Sequence, residues 1–206
     1  SADDNLEFLD EHQRIVVKPL DGEQGQGVAV DLQTIEEVQS AIEAARQFDS
    51  RVLLESFHEG LDLRILVIGF EVVAAAIRRP AQVIGDGKHS VGALIEVQSR
   101  RRQAATDGES RIPMDDETLR TLKAAGYDYD SILPSGEVLA VRRTANLHTG
   151  GCLADVTAIL HPTLADAAVR AARALDIPMV GLDLMVPAAD QPEYVFIEAN
   201  ERAGLA

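Results

Sequence analysis

Tryptophan is absent, aromatic residues make up only 4% of the chain, and cysteine occurs once. With so few rings, the stacking platforms that hold single-stranded nucleic acid are not expected. The lone Cys152 excludes an internal disulfide framework and fits a reducing cytoplasm. No apolar run reaches the ~18 residues of a membrane-spanning helix. The opening residues, SADDNLEFLDEHQR, lack the basic start and apolar stretch of a signal peptide, so none is expected there. Positive charge is scarce as well: 19 Lys and Arg stand against 34 Asp and Glu, a formal net charge of −15. That balance argues against nucleic acid or an anionic membrane as partner. It does not argue against a nucleotide, whose site needs only local positive charge and metal ions.

What is present is enough to form a core. Of 206 residues, 46% are apolar, which suffices for one large domain or two small ones. Residues 3–12 read as a helix, 14–19 as a buried strand halted by Pro19, 20–27 as a turn-rich loop and 28–32 as a returning strand. Thr34, with Glu37 after it, makes a capping box for a helix running to about Phe48. Residues 51–57 read as a strand, and 61–69 with 70–80 as a hairpin turning near Gly69. Residues 102–116 are polar and expected to be mobile, with few buried contacts. Residues 115–126 read as a short helix ending at Gly126, 137–145 as a strand and 164–176 as a helix with a small apolar face. The runs VGLDLMV and YVFIEAN are two last strands. Interspersed helices and hairpins predict an α+β fold with antiparallel sheets, not a doubly wound parallel one.

Charged residues inside apolar strands carry the chemistry. Asp183 lies in GLDLMVP and Glu198 in VFIEANE, and the turn-like AADQPE between them predicts a hairpin. Asn200 follows Glu198 by two residues and so shares its face. Two carboxylates and an amide oxygen on one surface make a hard oxygen site suited to Mg²⁺ and polyphosphate. Solvent-facing polar residues at strand edges are the plainer alternative. Lys18 ends an apolar strand, and Gly22, Gly25 and Gly27 follow it; such a loop lets backbone N–H groups approach an anion. A surface hairpin with a glycine tip explains the same residues, and the motif is neither a Walker A nor a G-x-G-x-x-G fingerprint. In LLESFHEGLD, Glu55, the Ser56–Phe57 backbone and Asp62 could meet a purine and a ribose, or form an ordinary connection.

In order, VVKP with its glycine-rich loop, LLESFHEG, RRTANLHTGG and the D…E-x-N set resemble the ATP-grasp superfamily over nearly the whole chain. KPLDGEQGQGV, VAAAIRRPAQVIGDGKHSV and VRRTANLHTGGCLADVT are most similar to its branch with cyanophycin synthetase and bifunctional glutathione synthetase. The resemblance implies an α+β fold of two subdomains with mainly antiparallel sheets gripping the nucleotide between them. Residues 1–57 would carry the lysine and glycine-rich loop, and 58–206 the metal site. It implies ATP with Mg²⁺ or Mn²⁺, and small amino-acid or peptide substrates joined by a carboxylate–amine ligase through an acyl-phosphate. Lys18, with Gly25 and Gly27, would meet the phosphates. Glu55, Ser56 and Phe57 would form the adenine hinge, and Asp62 would bind the ribose. Asp183, Glu198 and Asn200 would hold the metal. Arg142 or Arg143, with Asn146, would neutralise the transferring phosphoryl group. Adjacent strand residues face opposite ways, so one arginine of the pair is expected to face the metal carboxylates and the other a surface ion pair.

Two departures limit the resemblance. An earlier ATP-binding lysine and a preceding domain are missing, and Ala203 stands where the pattern has Pro. The chain therefore reads as a fragment of a longer protein, inactive alone. A non-catalytic nucleotide-binding module is the rival from another class, although an intact D…E-x-N set speaks against it. Acetyl transfer finds no acetyl-CoA-binding feature in these residues. A homo-oligomer is neither required nor excluded.

Overall fold

The computed structural model describes residues 2–21 and 26–201. Gly22 and Gly25 of the expected anion loop, and Ala203, lie outside the described residues. The chain forms two compact units: Ser1–Phe57, Val83–Val97 and Pro113–Thr144 in the first, and His58–Gln82, Gln98–Ile112 and Ala145–Ala206 in the second.

The first unit begins with α1 (Ala2–His12), β1 (Ile15–Pro19), β2 (Ala29–Leu32), α2 (Ile35–Ala45) and β3 (Val52–Ser56). These strands form an antiparallel sheet in the order β2-β1-β3. The expected capping box is present: Glu37 N–H donates to Thr34 Oγ1 at 3.3 Å, and Thr34 N–H to Glu37 Oε2 at 3.2 Å. Val38, Ala41, Ile42 and Ala45 are buried at i, i+3, i+4 and i+7, the stripe an amphipathic helix lays on a sheet. Gly27 has φ +70°, and a Cβ there would come within 2.7 Å of the Phe48 ring. Packing against Phe48 therefore accounts for this glycine without a ligand.

The second unit is built on β4 (Leu61–Ile68) and β5 (Glu71–Arg79), followed after a gap by β8 (Cys152–Asp155), α5 (Pro162–Leu175), β9 (Met179–Val186) and β10 (Val195–Asn200). All five strands pair antiparallel in the order β10-β9-β4-β5-β8. The β4–β5 hairpin turns through Gly69 (φ +60°) and Phe70 (φ +64°), both left-handed as a tight two-residue turn demands. One face of the sheet is apolar: Leu63, Ile65, Val67, Val180, Leu182 and Leu184 pack against Leu164, Ala168 and Ala172 of α5. Small residues on α5 let the helix lie close to the sheet. Leu182→Ala in this layer would cost about 2–5 kcal/mol. The other face of the same strands carries Asp62, Arg64 and Asp183.

Between these elements the chain forms β6 (Gln82–Ile84), α3 (Val91–Ala105), α4 (Asp116–Ala124) and β7 (Val138–Ala140), with β6 and β7 paired as a two-stranded sheet. Two expectations are corrected here. The strand expected over 137–145 stops at Ala140, because its partner β6 is three residues long and offers no further ladder. The segment 102–116 is not poor in buried contacts. It begins as the last turn of α3 and buries Ser110 and Ile112, at 5% and 2% exposure. Ser110 Oγ donates to Leu147 O at 2.5 Å, and Ile112 N–H to Ser99 Oγ at 3.1 Å. Arg102, Thr106 and Ser110 donate to backbone carbonyls, while Gln103, Asp107, Glu109 and Arg111 stay exposed.

Candidate functional site

The second unit gathers charge on the face of its sheet opposite α5. In the ladders, Arg64 of β4 stands opposite Asp183 of β9, and Asp183 opposite Glu198 of β10. Arg78 of β5 stands opposite Asp62 of β4. Arg64 and Asp183 are buried, at 7% and 2% exposure. Their pair is bidentate: Arg64 Nε donates to Asp183 Oδ1 at 2.7 Å and Nη2 to Oδ2 at 2.8 Å. Arg78 bridges two carboxylates, with Nη2 2.8 Å from Asp62 Oδ1 and 3.0 Å from Asp183 Oδ2. Asn200 closes the group: Nδ2 donates to Glu198 Oε1 at 2.9 Å and to Asp183 Oδ2 at 3.4 Å.

The electrostatics follow from this packing. Burial pushes the Asp183 carboxyl up, but hydrogen bonds from Arg64 and the charges of Arg78 and Arg64 prevail and hold it below the usual range. Asp62 moves the opposite way: burial, aided by the Asp183 charge, outweighs Arg78 and raises it. Burial works against the Arg78 charge, yet Asp62 and Asp183 raise its pKa.

The hairpin thus brings Asp183, Glu198 and Asn200 together as expected from their spacing. Asp62 joins the same face, paired to Arg78. Arg64 and Arg78 escaped the sequence reading, although their signal is the one that marked Asp183: a charged side chain inside an apolar strand.

The oxygen set fits a hard divalent cation by donor type. Among the described residues no group of three His, Cys, Asp or Glu is placed to hold a metal ion; the third ligand here would be the Asn200 amide. As oriented, that amide gives its N–H₂ to both carboxylates, and turning it over would present Oδ1 instead. Asp183 already accepts from two guanidiniums, so a cation would meet a carboxylate that is engaged.

In the first unit, Lys18 and Glu55 meet each other. They lie diagonally across the β1–β3 ladder, with Lys18 Nζ 2.8 Å from Glu55 Oε2. Phe57 N–H donates to Arg14 O at 2.9 Å, so a base at this edge would have to use other groups of the Ser56–Phe57 segment. The Arg14 guanidinium lies 4.4 Å from the centre of the Phe57 ring. Arg14 Nε also donates to Asp31 Oδ1 at 2.6 Å, and Arg143 pairs with Oδ2 of the same carboxylate. Asp31 has φ +59°, a left-handed backbone that places its side chain between the two arginines.

Arg142 and Arg143 follow the end of β7, so the alternation of strand faces does not apply to them. They diverge nonetheless. Arg142 is 5% exposed and turns to the start of α4. There Nη1 donates to Asp115 Oδ1 at 2.8 Å and to Thr118 Oγ1 at 3.0 Å, and Nη2 pairs with Glu117. Arg143 is exposed and holds Asp31. Asn146 belongs to the second unit, where Oδ1 accepts from His148 N–H at 2.8 Å and O from Gly151 N–H at 2.8 Å. It shapes the 146–151 turn.

Comparison with known proteins gives the family and the fold. The family model of the prokaryotic glutathione synthetase ATP-grasp domain matches residues 1–104, half of the chain. The chain belongs to the ATP-grasp family. It is 36% identical over 198 residues to cyanophycin synthetase of Nostoc sp. (strain PCC 7120 / SAG 25.82 / UTEX 2576), covering 92% of this chain and 22% of that protein. It is 33% identical over 199 residues to the glutathione biosynthesis bifunctional protein GshAB of Listeria monocytogenes, covering 93% of this chain and 26% of that one. The chain therefore spans about a quarter of the length of these relatives. Among solved structures, it resembles a bifunctional glutathione synthetase from Pasteurella multocida, with TM-score 0.60, 27% identity, and coverage of 99% of this chain and 30% of that one. It shares its fold with D-alanine–D-alanine ligase from Bacillus anthracis, with TM-score 0.56, 16% identity, and coverage of 98% and 48%. The ATP-grasp fold has the α+β, mainly antiparallel character that the sequence pattern predicts.

Proposed function

We propose that the protein carrying this chain is an ATP-dependent carboxylate–amine ligase that activates a substrate carboxylate as an acyl-phosphate and lets an amine displace phosphate. The observation that carries this reading is the oxygen set Asp183, Glu198 and Asn200 on one rigid sheet face, in a chain of the ATP-grasp family. A cation held there would neutralise phosphate charge. Lys18 would leave Glu55 for phosphate oxygens, Gly25 and Gly27 would let the loop backbone approach them, and Ser56, Phe57 and Asp62 would line the nucleoside. Of the two arginines, Arg143 is the one open to an anion, since its side chain is 36% exposed against 6% for Arg142. A preorganised charge of this kind stabilises a loose phosphoryl-transfer transition state without any covalent nucleophile. Asn146 would support the turn beside the substrate.

More narrowly, the run LLESFHEGLDLRILVIGFEVVAAAIRRPA (residues 53–81) resembles N-acetylglutaminylglutamine synthetase and supports a ligase of that type. The cyanophycin synthetase and GshAB relatives support the neighbouring readings, a cyanophycin- or glutathione-type product. The test uses the full-length protein with ATP, Mg²⁺ and candidate amino acids whose carboxylates carry ¹⁸O. Label in the released phosphate, with an amide product identified by mass spectrometry, is the expected result. ATP bound without turnover under every substrate pair would support a non-catalytic module instead.

A further inference from the structure

Asp183 is the most heavily engaged carboxylate of the site. Two guanidiniums from two strands hold it: Arg64 by a buried fork, and Arg78 by the arm it does not give solely to Asp62. Across the sheet the charges alternate, Arg78 and Asp62, then Arg64 and Asp183, with Glu198 at the edge. A fork that fits a carboxylate also fits a phosphate, because both offer two oxygens to parallel N–H groups. Stripping a buried carboxylate of its cations is unfavourable unless another positive charge arrives at once. The Asn200 amide, donating to both Glu198 and Asp183, stands where a cation shared by those carboxylates would sit.

We propose that Arg64 and Arg78 are resident counter-ions of Asp183, so that a divalent cation and a polyphosphate enter this site as an exchange. The cation replaces the guanidiniums on the carboxylate while the polyphosphate takes the guanidiniums. Cation alone meets a neutralised carboxylate and two positive charges, and polyphosphate alone meets arginines already forked onto Asp183. Each partner therefore raises the affinity for the other, by the reciprocity that coupled binding requires. The inference rests on the reading of Asp183, Glu198 and Asn200 as cation ligands.

The test measures Mn²⁺ binding to the full-length protein without nucleotide, from loss of the free-ion paramagnetic resonance signal. Arg78→Gln removes one counter-ion at a half-buried position and should tighten Mn²⁺ binding by about tenfold, the effect of deleting one positive charge a few ångströms away. Glu198→Gln, at an exposed edge, should weaken it. Unchanged or weaker binding in Arg78→Gln, with Glu198→Gln still impaired, overturns the exchange and leaves the cation reading standing. Unchanged binding in Glu198→Gln removes the cation reading and the exchange with it. Should circular dichroism show Arg78→Gln unfolded, Arg78→Met replaces it. It also removes the charge while keeping an unbranched stem, so the same tightening is expected, and none overturns the proposal.

Discussion

The two units each set a basic side chain against a carboxylate, and they do so in opposite ways. In the first, Lys18 and Glu55 are a half-exposed diagonal pair between neighbouring strands, with side chains 23% and 38% exposed. In the second, Arg64 and Asp183 are a buried fork, their side chains 8% and 3% exposed, with Arg78 as a third member. Water can replace either partner of the first pair, so breaking it costs little. The second has no such substitute. Its members can change partners only by exchange, which is what the proposed joint entry of a cation and a polyphosphate would require.

The largest effect expected from this contrast is at Asp183. Asp183→Asn leaves Arg64 buried without its counter-charge and should lower stability by about 3–5 kcal/mol. Urea unfolding measures it. A loss below 1 kcal/mol would mean that water reaches the fork and the contrast between the units is false. Loss of ligation in this variant would then need a folded-state check before being assigned to chemistry, whereas Glu198→Gln tests the chemistry more cleanly.

Next in size is the arginine pair, which repeats the contrast inside the first unit. Arg142→Ala removes four recorded bonds to Asp115, Thr118 and Glu117 and should cost about 2–3 kcal/mol. Arg143→Ala removes a surface pair and should cost about 0–1 kcal/mol. Its effect should fall on kcat instead, by about 10²–10³-fold if it is one preorganised contact to the transferring group. Equal stability losses, or a silent Arg143→Ala, would sink the distinction.

The pH dependence sharpens the comparison within the buried cluster. A carboxyl held below its ordinary value contributes stability above that value, and the contribution is lost as pH falls toward the folded pKa. Asp183, Asp31 and Asp115 all behave so. Asp62, whose pKa is raised, does the reverse: its ionisation works against folding as pH rises through the ordinary carboxylate range. Thermal melts from pH 6 down to 3 should show stability falling with acid, a flatter profile in Asp183→Asn and a steeper one in Asp62→Asn. Parallel profiles in all three would contradict these assignments. The smallest change should come from Lys18→Met and Glu55→Gln, about 0–1 kcal/mol each. Isothermal titration with ADP should nevertheless find Lys18→Met impaired, and undiminished affinity would remove Lys18 from the phosphate site.

Much of the layout was legible from spacing alone. The capping box at Thr34, the turn at Gly69 and the facing of Asp183, Glu198 and Asn200 are local matters: a helix start, a two-residue reversal and a period of two are set by near neighbours. The reach of β7 was not legible. VLAVRR looks like one strand, yet strand length depends on a partner, and β6 is short. Nor was the burial of Ser110 and Ile112, since polar residues satisfying distant backbone turns look like a loop in a linear sequence.

The sequence by itself therefore determined most of the elements, though not α3, β6 or β8, together with the ATP-grasp order of motifs and the oxygen side chains that share a strand face, because these follow from periodicity and short-range geometry. Tertiary structure alone decided who pairs with whom. Arg64 and Asp183 are 119 residues apart, and Arg143 and Asp31 112. Only sheet register and the return of 113–144 to the first unit bring them together. No local rule carries that information, because a buried charge must find its partner across the fold or remain in water.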